Sequence, residues 1–526
     1  MQSDSGKTQS IWMTAPGIPG QPTLSRDLHT EVVVVGGGLA GLTTAYLLSR
    51  EGKEVVVIDD GPFAGGETSR TTAHLTNVAD ARYYRIAQVH GEDGARLFAE
   101  SHTAAIDRIE EIVRSERIEC EFERLDAFLF ANPGDPSEEL EHEFEAARRA
   151  GVDVEWADET PLSDFRTGLC LRFPHQAQFH PLRYLAALAS AIERNGGRLF
   201  RDTHASKIDD GPPPTVQTEE GHEILADAVV VATNVPVHTK FKIHTKQAPY
   251  RTYVIAARIP SGSVRRALYY DTLHPHHYVR TMRPTEGKSG GELLVVGGED
   301  HKTGQADDAP DRWAALESWA RERFPSMEAV DFRWSGQVAE PVDGVAFIGR
   351  DTEHVYLVTG DSGMGMTHGT IAGVLLTDLI CQRENPWSRL YDPGRISLRA
   401  AGQFARENIN VAGKYVAHLT PGDVDSVAAI GRGRGAILRE GASKIAVFRD
   451  EGGQLHARSA SCPHLGCIVA WNTAESTWDC PCHGSRFDPF GRVLTGPANR
   501  DLEPAGEKEK EEVPGRPERP QAPPPL

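Results

Sequence analysis

The sequence predicts an α/β core interleaved with an α+β domain and followed by a small metal-binding module. Three observations carry that prediction: a strand, glycine turn, helix and strand within residues 32–59; alternating apolar and polar residues over 250–300; and cysteines and histidines crowded near the C-terminal end. At 526 residues the chain is too long for one core, and 39% hydrophobic with 25% charged residues is ordinary for a globular protein. Lysine plus arginine number 56 against 75 acidic residues, and the net charge of -19 argues against nucleic acid or anionic membrane as a general partner. No run approaches the ~20 apolar residues that span a bilayer, and the N-terminus lacks the charged start and apolar middle of a secretory signal. The expectation is a soluble, cytoplasmic protein without a transmembrane segment.

Residues 1–27, punctuated by proline and glycine, read as an arm over the folded body with Trp12 as an anchor. The organising unit follows. Four valines lead into Gly36-Gly37-Gly38-Leu39-Ala40-Gly41, then an apolar helical run, then a second apolar segment closing on Asp59. Gly36, Gly38 and Gly41 fit Gly-x-Gly-x-x-Gly, in which bare backbone lets a pyrophosphate approach the positive end of a helix. Asp59 lies 18 positions past Gly41, where a carboxylate accepts from a ribose hydroxyl. The glycines alone also suit plain packing; with the strand, helix and acid in place, they predict dinucleotide binding.

Residues 65–74 are small and hydroxyl-rich where the chain should pass the cofactor, a bare surface loop being the alternative. Helical spacing covers 91–115, a strand is expected at 127–130, a charged helix near 137–150, and Gln178 to Leu182 open another helix. Residues 227–234 read as a later strand of the same parallel sheet. Alternation over 250–300 predicts a second, more antiparallel sheet, the substrate domain. A last strand at 355–360, a glycine turn and an apolar helix over 371–380 again point backbone amides at a polar or anionic group.

This layout resembles the D-amino-acid-oxidase-like family of FAD-dependent oxidoreductases over residues 28–395. The residues that carry the resemblance are the unit at 36–59, Val229 to Asn234, and Asp343-Gly344-Val345-Ala346-Phe347-Ile348-Gly349 followed by Val358-Thr359-Gly360. It implies FAD instead of NAD, in a Rossmann-like, glutathione-reductase-type FAD-binding domain interleaved with an α+β substrate domain. The flavin ring would be pinned between the loop at 68–74 and the turn at 360–367. Implied cofactor contacts are Gly36, Gly38, Leu39, Ala40, Gly41, Asp59, Thr71, Thr72, Ala73, His74, Thr233, Gly360, Gly363, Met364 and Gly365. The segments 73–75, 173–181 and 297–304 look like a branch of the family that carries an appended iron–sulfur domain.

That appended domain has its own signature. Cys462-Pro463-His464 and Cys480-Pro481-Cys482-His483 are separated by 15 residues, and two thiolates on one iron with two imidazoles on the other make a Rieske [2Fe-2S] centre. Cys462 and Cys480 are the expected sulfur ligands, His464 and His483 the nitrogen ligands. A zinc knuckle is the alternative, but Pro463, Leu465-Gly466 and Gly484-Ser485 match the Rieske loops. Resemblance to cytochrome bc-type Rieske proteins implies a Cys467–Cys482 disulfide, with two free thiols as the alternative. It also makes Ser485 a hydroxyl donor to a bridging sulfur, while Phe487, standing where high-potential members have tyrosine, implies a lower potential. Gly496-Pro497-Ala498 resembles the proline loop over the cluster. The expected divisions are a linker at 396–417, the all-β Rieske domain at 418–505 and a disordered tail at 506–526.

Tyr278 and Arg280, alternating on a strand, would point the same way and bind a substrate carboxylate; an outward-facing arginine is as common. His180 and Lys302 are further candidates, and His274, His276 and His277 read as surface or packing residues. The resulting expectation is a dehydrogenase that oxidises a small amine, amino acid or related substrate. Its electrons would pass through the cluster to an external one-electron acceptor, a redox protein or quinone. The alternative is an electron-transfer module that serves a partner oxygenase or quinone.

Overall fold

The protein is described by a computed structural model covering residues 5–505 except 16, 19, 133–136, 163, 240–242, 284–290 and 442. The tail expected at 506–526 lies outside the described residues. Leu28–Val35 runs parallel to Val55–Ile58 on one side and to Glu223–Val231 on the other. Strands flanked on both edges and covered on both faces must be apolar throughout, which is why Val32, Val33, Val34 and Val35 stand in a row. Phe347–Arg350, Val355–Thr359 and Arg198–Phe200 extend this sheet at its two ends.

The helix Leu39–Arg50 lies against Gly365–Ile380. A Cβ at Gly373 would collide with Thr43, so the absence of side chains allows this close approach. The helix expected at 91–115 belongs to a longer element, Tyr83–Glu116, broken at Gly91, whose φ of 78° interrupts the helical path. The sequence pattern therefore saw only the second, amphipathic segment.

A nine-stranded sheet contains Gln247–Ile259, Tyr278–Met282, Glu292–Lys302 and Val330–Pro341 as antiparallel neighbours, as the alternation predicted. Two small antiparallel sheets follow. Arg434–Glu440, Ser443–Arg449 and Leu455–Ser459 form one, and Ala470–Asn472, Thr477–Asp479, Arg486–Phe487 and Val493–Thr495 form the other. Trp471 and Trp478 meet edge to face at 4.8 Å between them.

The junction between the large body and these sheets is polar and buried. Glu475 is paired with Arg70 at 3.1 Å and with Arg251 at 3.4 Å, and it also accepts from Ser335 and, at 2.6 Å, from Thr8. Arg486 reaches Asp479 at 3.2 Å, Glu67 at 3.5 Å and the Ser5 carbonyl at 2.7 Å. The N-terminal arm is thus part of the joint. Trp12 within it is fully buried and donates to the Thr71 carbonyl. The stretch expected as a linker holds a helix, Ala401–Lys414.

Candidate functional site

One cavity runs from the glycine turn to the second sheet. Gly36, Gly38, Leu39 and Ala40 line it, and the helix that starts at Leu39 has no capping side chain on its own N-cap residue, Gly38, although the Leu39 amide donates to the Thr68 hydroxyl at 3.2 Å. A Cβ at Gly36 would strike the Ala232 carbonyl, and one at Gly41 would strike the Gly36 carbonyl, so Gly41 shapes the turn from behind the wall. Asp59 lines the same end. Its carboxylate accepts from the Gly37 and Gly61 amides. A second uncapped helix start, at Gly365, faces the cavity with Gly360, Gly363 and Met364, and Thr233 lines it from the central strand. Bare amides, two positive helix ends and an acid at ribose distance fit FAD, whose pyrophosphate needs the first two and whose sugar needs the third.

Thr71, Thr72 and His74 also line the cavity, while Ala73 turns away at φ 57°. Arg280 holds that turn. Its Nη1 donates to the carbonyls of Thr72 at 3.0 Å, Ala73 at 2.8 Å and Phe179 at 3.3 Å, with the guanidinium carbon 5.4 Å from the Trp12 ring centre. The expectation that Arg280 reaches a substrate carboxylate is therefore corrected: it is 3% exposed and absent from the cavity wall. His180 is corrected likewise. It caps the helix Pro181–Arg194 by accepting from the Arg183 amide at 3.3 Å and packs edge-on against Trp12 at 5.0 Å, and burial pushes its pKa down to about 3. Lys302 is engaged with Glu407, away from the cavity.

Tyr278 does line the cavity, its hydroxyl 2.6 Å from the Thr252 hydroxyl; burial raises its pKa well above the phenol range, so it stays protonated. Around it the wall is acidic. Asp80, Asp300, Glu340 and Asp361 contribute carboxyls, and burial pushes Asp80 to about 6, Asp361 to about 7, Glu340 to about 8 and Asp300 upward. His276, expected as a surface or packing residue, lines the cavity beside them, whereas His277 packs between Asp271 at 2.8 Å and Glu299 at 3.3 Å. Among the described lining residues, Arg70 is the single arginine or lysine, and it is committed to Glu475, Thr8 and the Ser335 carbonyl. Sequence reasoning missed these acids. Asp300 lay inside a quoted motif, but nothing in the sequence set Asp80 or Glu340 apart from surface acids.

The cysteine and histidine loops converge in the C-terminal module. Cys467 and Cys482 are joined as a disulfide, with Cα atoms 6.5 Å apart. Cys462 and Cys480 are buried and unpaired by disulfide, and the rings of His464 and His483 meet edge to face at 5.0 Å. The Nδ1 of His483 is buried without a partner although the residue is only 7% exposed. An orphaned imidazole nitrogen beside two free thiols is what a [2Fe-2S] cluster ligated by two sulfurs and two nitrogens requires. Ser485 is fully buried and accepts from the Ala498 amide at 3.0 Å, which ties the proline loop to the ligand loop.

Two contacts join the large body to the cysteine and histidine loops, one of them from the cavity wall. Gln337 lines the cavity, and its Nε2 donates at 2.9 Å to the carbonyl of Gly484, the residue after His483. His244, from the large body, packs at 4.9 Å from the ring of His464. Val493 to Gly496 and Ala498 of the C-terminal module also form part of the cavity wall.

Comparison with known proteins agrees with this division. Residues 31–379 match the family described as FAD dependent oxidoreductase, and 414–505 match the Rieske [2Fe-2S] domain. The chain is 32% identical over 502 residues to a putative Rieske 2Fe-2S iron-sulfur protein, YhfW, of Bacillus subtilis, covering 94% of this chain and 97% of that one. It is 26% identical to the gamma-glutamylputrescine oxidoreductase of Escherichia coli, over 68% of this chain and 85% of the other. The fold superposes on glycine oxidase from Geobacillus kaustophilus with a TM-score of 0.60 at 18% identity, covering 70% of this chain and all of that one.

Proposed function

The chain belongs to the FAD dependent oxidoreductase family and carries a Rieske [2Fe-2S] domain, and on that premise we propose that it oxidises a small cationic amine and delivers the electrons through the cluster to a one-electron acceptor. The observation that carries the relay is the position of Gln337, which touches the cavity on one side and the His483 loop on the other. A flavin and a cluster held on the two sides of one buried residue suit transfer within a chain better than exchange with a separate reductase.

The acidic wall supports an amine over an amino acid. A substrate carboxylate would meet Asp80, Asp300 and Glu340 with no uncommitted arginine or lysine among the described lining residues, whereas an ammonium group would meet hydrogen-bond acceptors and, at Asp80 above about pH 6, opposite charge. The similarity to a gamma-glutamylputrescine oxidoreductase points the same way. FAD supplies, when bound, the two-electron acceptor for a hydride from the carbon beside nitrogen. The protein's part is to hold that carbon and manage the proton. Tyr278, kept protonated, donates a hydrogen bond, and a carboxylate of the wall takes the proton an ammonium must lose before its carbon can give up a hydride.

Anaerobic mixing of the holoprotein with a panel of mono- and diamines and amino acids tests the reading. Amines should bleach the flavin and then the cluster. Bleaching by amino acids alone would overturn the substrate class, and bleaching only by a reduced carrier would favour the electron-transfer module.

A further inference from the structure

The segment between the two modules is built inside out. The helix Ala401–Lys414 turns three polar side chains to the protein: Glu407 bonds Lys302, Asn408 donates to the Thr245 carbonyl at 3.0 Å, and Asn410 accepts from Gln305 at 2.9 Å. Two of its large apolar side chains, Phe404 and Ile409, face outward, while Val411 packs against the C-terminal module. Eight large apolar residues are exposed among the described residues, and seven of them fall between 396 and 419: Ile396, Leu398, Phe404, Ile409, Tyr415, Val416 and Leu419. Leu398 is 84% exposed, Leu419 78% and Ile409 72%. Single exposed leucines need no explanation, but seven large apolar residues exposed within one segment, across the helix Ala401–Lys414 and the turns on either side of it, do.

The charge around the stripe selects its occupant. Arg399, Arg406 and Lys414 lie along it, and Arg439 and Lys444 hold its end by donating to the Leu419, Thr420 and Pro421 carbonyls. Between 396 and 420 the lone acidic residue is Glu407, which is turned inward. Two copies stacked through this stripe would bring like charges together with no acidic partner opposite them. An anionic surface that also accepts apolar side chains satisfies both features, and that combination describes a lipid bilayer containing acidic headgroups.

We propose that residues 396–419 form a docking surface for an anionic membrane. The net charge of -19 does not oppose this, because charges farther than about 8 Å from the contact are screened at physiological ionic strength. The position has a consequence for the cluster. Tyr415 donates to the Leu465 carbonyl at 2.8 Å, and His418 lies 2.9 Å from the Gly466 carbonyl, so the docked stripe backs directly onto the loop that carries His464. A lipid-dissolved acceptor would then arrive beside the cluster. Docking itself does not rest on the proposed reaction and is tested without it.

The test is flotation of the holoprotein with vesicles of phosphatidylcholine alone or mixed with phosphatidylglycerol, at low and raised salt. The wild-type protein should float with the anionic vesicles at low salt, much less at raised salt, and hardly at all with the neutral ones. Ile409→Glu with Leu419→Glu, both at exposed positions, should lower partitioning about tenfold or more, and Arg399→Glu with Arg406→Glu should do the same at low salt. Flavin and cluster absorbance serve as the folding control. Failure of the wild-type protein to float, or equal flotation of the variants, overturns the proposal. A dimer in light scattering that Ile409→Glu splits, without vesicle binding, would assign the stripe to a second copy instead.

Discussion

Arg70 and Glu475, 405 positions apart, form an ion pair at 3.1 Å with both side chains fully buried. Arg70 comes from the loop beside the flavin cavity and Glu475 from the Rieske module, so the pair fixes one module on the other. With Arg251 and Arg486 nearby, the attraction of three guanidiniums outweighs burial and holds Glu475 down at about 2.

This pair gives the first prediction. The folded pKa lies below the ordinary glutamate value of 4.5, so its stabilisation is present above that value and is lost as pH falls from 4.5 toward 2. Glu475→Gln leaves Arg70 and Arg251 without their counter-charge and should cost about 3 to 5 kcal/mol, read as a lower thermal midpoint at neutral pH. An unchanged midpoint would mean that the joint is not held by this charge.

Removal of one cluster ligand separates the two cofactors. His464→Ala or His483→Ala should abolish the Rieske-type electron paramagnetic signal while flavin absorbance and its bleaching by substrate remain. Turnover with one-electron acceptors should fall to a small fraction. If such turnover persists, electrons leave the flavin by another route.

At the other end of the cavity, Asp59→Ala removes the anchor of the Gly37 and Gly61 amides and, with it, the proposed acceptor for a ribose hydroxyl. The cost is about 1 to 3 kcal/mol, or roughly ten- to a hundredfold in FAD affinity. Dialysis followed by flavin quantitation measures it, and full retention of flavin would count against the assignment.

The acidic wall predicts a pH dependence. Asp80, Asp361 and Glu340 are neutral below about 6, 7 and 8 respectively, so binding of an ammonium group should weaken as pH falls through this range. Asp300→Asn should reduce kcat/KM for diamines about ten- to a hundredfold, mainly through KM. A KM indifferent to both pH and the substitution would remove these carboxyls from substrate recognition.

The sequence by itself determined what depends on local spacing. Gly36, Gly38 and Gly41 with Asp59 announced a nucleotide turn, because strand, turn and helix are contiguous in the chain. Cys462, His464, Cys480 and His483 announced the cluster, because the proposed ligands all stand in two short loops. Tertiary structure decided what depends on distant residues meeting. On the strand Tyr278–Met282, the side chain of Tyr278 reaches the cavity while that of Arg280, two positions on, is spent on the Thr72, Ala73 and Phe179 carbonyls; alternation gives a side of the sheet but not what covers it. Asp80, Asp300 and Glu340 look like any surface acids in the chain and become a site only where three elements converge. The exposed stripe at 396–419 was likewise hidden in a stretch expected only as a linker, since only the fold shows which of its apolar side chains are left uncovered.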